Sequence, residues 1–155
     1  MEKQTLFNIA AELGHLSEKQ VRHIAIQLVQ AVSQLNRHDI AHRDIKLSNI
    51  CFPFDSSTAT TAEAEEGSLR QYQQMKSSNA ILSQNQFKFK IKLIDFGMAG
   101  FVQEDGLLRG RCGTLGCVAP EILNCTSQEG YTLACDMYSV SCPSLPPCAA
   151  VCSLL

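Results

Sequence analysis

Seven apolar side chains inside one short window constrain this chain more than any other feature. Val21, Ile24, Ala25, Leu28, Val29, Val32 and Leu35 recur at three- and four-residue spacing over residues 17–36, which predicts an amphipathic helix with one face to bury. Ser17 followed by Gln20 supplies a capping box at its start. Upstream, Leu6, Ile9, Ala10 and Leu13 form a shorter amphipathic stretch that Gly14 can end in a left-handed conformation, so two helices open the chain. Residues 87–94 alternate apolar and cationic side chains. That period of two sets Phe87, Phe89, Ile91 and Leu93 on one face of a strand, with the lysines as its exposed face.

The length of 155 residues allows one domain or one lobe of a larger one. With 45% hydrophobic and 18% charged residues the chain is globular in class. Thirteen Lys and Arg against fifteen Asp and Glu give a net charge of −2, which excludes the basic footprint of nucleic-acid binding. No Lys or Arg follows Arg111, and residues 142–155 form an atypical Pro/Cys-rich tail. Residues 1–4 open no secretory signal, and Pro143, Pro146 and Pro147 interrupt the apolar end, so the expectation is a cytoplasmic protein with no transmembrane segment. Eight cysteines without a Cys-x-x-Cys pair point away from a zinc or redox site and toward reduced thiols. Between Phe54 and Gln86 the composition turns to Ser, Thr, Ala, Gln and Glu. That stretch reads as a disordered insertion, with a weak helix over 62–76 as the alternative.

The chemistry lies in three short matches. His42-Arg43-Asp44-Ile45-Lys46-Leu47-Ser48-Asn49 follows the long helix and resembles the catalytic loop of protein kinases, His-Arg-Asp-x-Lys-x-x-Asn. Five fixed residue types would meet by chance in a chain this long with a probability on the order of 5 in 100,000. Asp95-Phe96-Gly97 closes the expected strand, as the same family requires. Gly113-Thr114 and Ala119-Pro120-Glu121 then follow in the order of that family's activation segment, 18 and 24 residues beyond Asp95.

The resemblance implies roles for these residues. Phosphoryl transfer leaves the protein little covalent work beyond positioning a hydroxyl and neutralising charge. Asp44 would accept or orient the substrate hydroxyl, Lys46 would contact the γ-phosphate of ATP, and Asn49 and Asp95 would hold Mg²⁺. Cys51 matches the position under the adenine ring, where it serves as a small buried hydrophobe. A Lys two residues after Asp44, with Thr114 near it, is the serine/threonine pattern. His42 and Phe96 would pack in an internal column, Asp136 would anchor the catalytic-loop backbone, and Gly97 and Glu121 complete their motifs. Arg43 would pair with a phosphorylated loop residue, yet no Ser, Thr or Tyr occurs between Gly97 and Gly113. Glu104 and Asp105 either form a solvated loop or offer Arg43 a standing charge. The last four residues, from Cys152, fit a prenylation box without an upstream basic cluster.

The implied architecture is α+β. It is a protein-kinase-like fold reduced to its mainly helical C-terminal lobe, with residues 1–141 as a partial kinase domain and 54–86 inserted. No glycine-rich loop and no strand lysine in a Val-Ala-Ile-Lys context occur, so the N-lobe is expected to be absent and the C-lobe truncated. Leu115 and Cys117 replace the usual Pro and Tyr before Ala119. The function implied is transfer of the ATP γ-phosphate to Ser or Thr of a protein substrate, with a missing N-lobe or a kinase partner needed by a chain that is inactive alone. The alternatives are a noncatalytic kinase-like interaction module and a truncated gene product.

Overall fold

The fold was analysed in a computed structural model, which describes residues 5–13, 16–52, 90–126 and 129–141. Helix α1 spans Leu6–Leu13 and helix α2 spans Glu18–Asn36. The capping box is present: the Gln20 N–H donates to Ser17 Oγ at 3.4 Å, and Gln20 Oε1 accepts from the Ser17 N–H at 2.8 Å. Val21, Ile24, Leu28 and Val32 are buried as the spacing requires, with Ala25 and Leu35 half-buried. Val29 departs from the expected face and is exposed, because a helix this narrow in its contact buries only the rows centred on residues 21, 24, 28 and 32. Helix α2 stops at a turn in which Asp39, at φ 57, donates its N–H to Asn36 O at 3.1 Å.

Four two-residue strands follow. Strand β1 (Ile40–Ala41) pairs antiparallel with β4 (Gly100–Phe101), and β2 (Ile50–Cys51) pairs antiparallel with β3 (Lys92–Leu93). The expected strand over 87–94 is regular only at Lys92–Leu93 within the described residues. Phe87 and Phe89 lie outside them, as do the proposed insertion and the tail from Cys142. The period of two holds where it can be seen, with Lys90 and Lys92 exposed, Ile91 half-buried and Leu93 buried. A 3-10 turn at Leu47–Asn49 precedes β2, and the short helices α3 (Pro120–Asn124) and α4 (Cys135–Ser141) close the described chain.

Two apolar clusters organise these elements. The first joins α1, α2, Ile45, Leu47, β2, Leu93 and Val140. The second gathers Ala41, Leu108, Val118, Ala119, Ile122, Cys125, Tyr131 and Cys135. The segment 41–50 runs between them, giving Ala41 to one cluster and Ile45, Leu47 and Ile50 to the other. That seam is where the polar residues of the first motif emerge.

Candidate active site

Residues 42–46 link β1 to the 3-10 turn in irregular backbone, so their N–H groups need partners from outside the segment. Asp136, fully buried on α4, supplies two of them. Its Oδ2 accepts the His42 N–H at 2.7 Å and its Oδ1 accepts the Arg43 N–H at 2.8 Å. Burial pushes the Asp136 carboxyl above its ordinary range, while the two N–H donors and the charge of Arg43 pull against that. The buried His42 ring accepts from the Asp44 N–H through Nδ1 at 3.3 Å. Nε2 therefore carries the proton and donates to Ile94 O at 3.1 Å. Phe96 packs its ring on His42 at a centroid distance of 4.8 Å, with 47% of the residue still exposed.

Arg43 adopts a left-handed backbone, φ 64. The guanidinium donates to the carbonyls of Met98 at 2.6 Å, Ala99 at 3.3 Å and Arg109 at 3.0 Å, and to the Tyr131 hydroxyl at 3.1 Å. Two glycines permit this approach. A Cβ on Gly100 would lie 2.9 Å from Arg43 Cζ, and one on Gly113, at φ 108, would lie 2.9 Å from the Arg43 carbonyl oxygen. The standing negative charge expected as one alternative from Glu104 or Asp105 is not found at Arg43: Asp105 pairs with Arg109 instead.

The Asp44 carboxylate has three side-chain partners. Oδ2 pairs with Lys46 Nζ at 2.8 Å and accepts Asn49 Nδ2 at 3.0 Å, while Oδ1 accepts the Thr114 hydroxyl at 2.6 Å. Lys46 Nζ also donates to Thr114 Oγ1 at 2.8 Å, closing a ring of three side chains that spans 70 residues of sequence. Burial alone would raise the Asp44 carboxyl. Hydrogen bonds from Lys46 and Thr114, the Lys46 charge and the Asn49 amide outweigh it and hold the group below the usual carboxylate range.

The amide of Asn49 donates twice, to Asp44 O at 2.9 Å and to Asp44 Oδ2, so its oxygen is the end left without a hydrogen bond among the described residues. The β2–β3 ladder continues one step further, with the Ile94 N–H donating to Asn49 O at 2.9 Å. Asp95 therefore follows a residue bonded to both Asn49 and His42. Its backbone is left-handed, φ 63, and its exposed carboxylate accepts the Gly97 N–H at 3.2 Å through Oδ1. Asp44, Lys46 and the Asn49 amide thus meet at one end of the ladder, and Asp95 follows Ile94 there in the chain.

Mg²⁺ takes oxygen ligands and keeps several waters, so one carboxylate and one amide oxygen beside a phosphate-bearing nucleotide fit its needs. Asn49 and Asp95 are residues of that donor type. Cys51 is buried in β2 opposite Lys92, and its thiol is free of any disulfide. Glu121 lies on α3, exposed and without an ion pair among the described residues. Tyr131 was missed by sequence reasoning. It sits 88 residues from Arg43, and no local spacing marks it.

The Protein kinase domain family matches residues 1–58 and 71–145. Serine/threonine-protein kinase 33 of Bos taurus is 32% identical over 143 residues, which cover 90% of this chain and 24% of that protein. The phosphorylase b kinase gamma catalytic chain, liver/testis isoform, of Homo sapiens is 32% identical over 142 residues, covering 90% of this chain and 27% of its own. The chain thus spans about a quarter of the length of the curated relatives it matches.

Proposed function

Because the chain belongs to the protein kinase family, we propose that its Asp44 site transfers the γ-phosphoryl group of ATP to a serine or threonine hydroxyl of a protein substrate. The observation that carries this reading is the lone-pair arrangement on Asp44. A carboxylate offers about four acceptor sites. Lys46 and Asn49 take those on Oδ2 and Thr114 takes one on Oδ1, which leaves a single position, on the Thr114 side, for an incoming hydroxyl. Held below the usual range, Asp44 stays ionised near neutral pH and orients that hydroxyl.

Lys46 commits two of its three N–H groups, to Asp44 and Thr114, and its third is available to the γ-phosphate. Asn49 and Asp95 would hold Mg²⁺, which supplies charge neutralisation across the β- and γ-phosphates. The serine/threonine reading is supported by Lys46 and its bond to Thr114, and by the name of the Bos taurus relative. Residues 1–141 are proposed as the kinase portion and 142–155 as a tail. The family match skips residues 59–70, which supports an insertion within 54–86. None of the five described cysteines is in a disulfide, which fits a reducing cytoplasmic compartment, and no described helix is long and apolar enough to cross a membrane.

These 155 residues hold no glycine-rich loop to cover the nucleotide phosphates, so transfer by this chain alone is expected to be negligible. Binding at the site is testable directly. Millimolar ATP should shift the NMR signals of the Asn49 side-chain amide and the Gly97 N–H only when Mg²⁺ is present, and Asp95→Asn should abolish the Mg²⁺ dependence. Nucleotide shifts that ignore Mg²⁺, or none at these residues, would defeat the proposal.

A further inference from the structure

The loop facing Arg43 offers the guanidinium no anion. Residues 98–112 contain no Ser, Thr or Tyr, and the four acceptors of Arg43 are three carbonyls and one phenol. We propose that the Tyr131 hydroxyl is the positioning group that ties this loop to Arg43, so that the Asp44 site is assembled without any negative charge on the loop. The inference rests on reading Asp44 as the phosphoryl-transfer site and concerns how that site is regulated.

Tyr131 is buried, and one oxygen does two things: it accepts from Arg43 at 3.1 Å and donates to Gly110 O at 2.8 Å. The cation, which already donates to the loop carbonyls of Met98, Ala99 and Arg109, is thereby joined to Gly110 as well through a neutral bridge. The Tyr131 backbone is fastened to the same loop by exchanging hydrogen bonds with Leu108 at 2.8 and 2.9 Å. Burial pushes the phenol up to about 12, so the hydroxyl keeps its proton through the neutral range.

From Arg43 the contacts run on to the reacting carboxylate. A Cβ on Gly113 would meet the Arg43 carbonyl oxygen at 2.9 Å, so the two backbones are close, and Thr114, the next residue, donates to Asp44 Oδ1. A loop that swings away from Arg43 therefore carries Thr114 off Asp44. Cys112 reports on that movement, because its half-buried thiol lies 3.7 Å from the Tyr131 hydroxyl.

The test uses the full chain without Mg²⁺, at constant ionic strength, in chloride and in inorganic phosphate. Alkylation of Cys112 by iodoacetamide, mapped by mass spectrometry, is the readout. Wild type should react at one rate in both salts. Tyr131→Phe removes one oxygen and should speed the reaction about five- to tenfold in chloride. Phosphate should restore the slow rate by giving Arg43 an anion, and should fail to do so once Arg43→Met is added. Wild-type alkylation slowed by phosphate through Arg43 would overturn the proposal, as would a Tyr131→Phe rate equal to wild type. If Tyr131→Phe does not fold, the wild-type comparison decides alone. Loss of Mg²⁺-dependent nucleotide shifts at Asn49, with the Cys112 results as expected, would sink the transfer reading and leave the Tyr131 tie standing.

Discussion

The two sides of the 42–50 segment are held by different physics. On one side Ile45, Leu47 and Ile50 enter a cluster of large aliphatic side chains supplied by α1 and α2. On the other, Arg43, Asp44 and the His42 N–H are fixed by individual polar contacts, many of them to residues 55 to 94 positions away, beside a cluster that uses alanine, valine and cysteine as well as leucine and isoleucine. Dispersed apolar contact loses strength in proportion to what is removed. A buried hydrogen-bonding group loses its own bond and also strands its partner. The polar side should therefore be the more fragile per substitution, even though it buries less.

Asp136→Ala is the strongest challenge to that contrast. It removes both acceptors of the His42 and Arg43 N–H groups in a fully buried position. The expected loss is about 3–5 kcal/mol, read from the urea unfolding midpoint, and a chain of modest stability would lose its cooperative transition. A loss below 1 kcal/mol would mean that water reaches those N–H groups and that the polar side is not fragile at all.

Truncations within the apolar clusters come next. Leu28→Ala, on the aliphatic side, should cost about 3 kcal/mol, while Val118→Ala in the second cluster should cost about 1–2 kcal/mol. A Val118→Ala cost equal to that of Leu28→Ala, although the smaller side chain loses fewer carbons, would show that the second cluster is the more tightly packed.

This division also decides what could be read from the sequence. Helices α1 and α2, the capping box at Ser17 and the alternation at residues 90–93 were all legible, because each is set by neighbours within four residues. Val29 was misplaced because spacing alone cannot say how wide a stripe the partner covers. The convergence of Asp44, Lys46, Asn49 and Thr114 was foreseeable only through the resemblance of their motifs. The Tyr131 bridge and the Asp105–Arg109 pair carried no such signal, since they depend on where the loop lies in space.

The pH dependence separates the two sides further. Asp44 has a lowered carboxyl, so its contribution is present above the unfolded value of 3.8 and disappears as pH falls through the lower native value. Cys135 behaves oppositely: burial, then the charges of Asp136 and Glu121, raise its thiol from 9.0 to about 12. Its contribution is complete below pH 9.0 and is lost as pH climbs toward about 12, because the unfolded thiol ionises first. Cys135→Ala should flatten this alkaline limb of the stability profile, by on the order of 2 kcal/mol at about pH 11, while Asp44→Asn flattens only the acid limb. An alkaline limb unchanged by Cys135→Ala would show that the second cluster opens to water before it titrates.

The smallest effect is expected from Asp105→Asn. The Asp105–Arg109 pair is the most obvious ionic contact of the loop, yet it lies at the surface, where solvent screens the attraction and holding two side chains in one geometry costs entropy. Arg109 reaches the Arg43 node through its backbone carbonyl, which the substitution leaves in place. The thermal midpoint should therefore move by less than about 1 °C, and the Cys112 alkylation rate should stay within about twofold of wild type. If Asp105→Asn instead freed Cys112 as fully as Tyr131→Phe, the loop would be held by a surface charge pair after all. The fragility of the polar side would then lie in salt-sensitive electrostatics, and the buried bonds to Tyr131 and Asp136 would be its consequence.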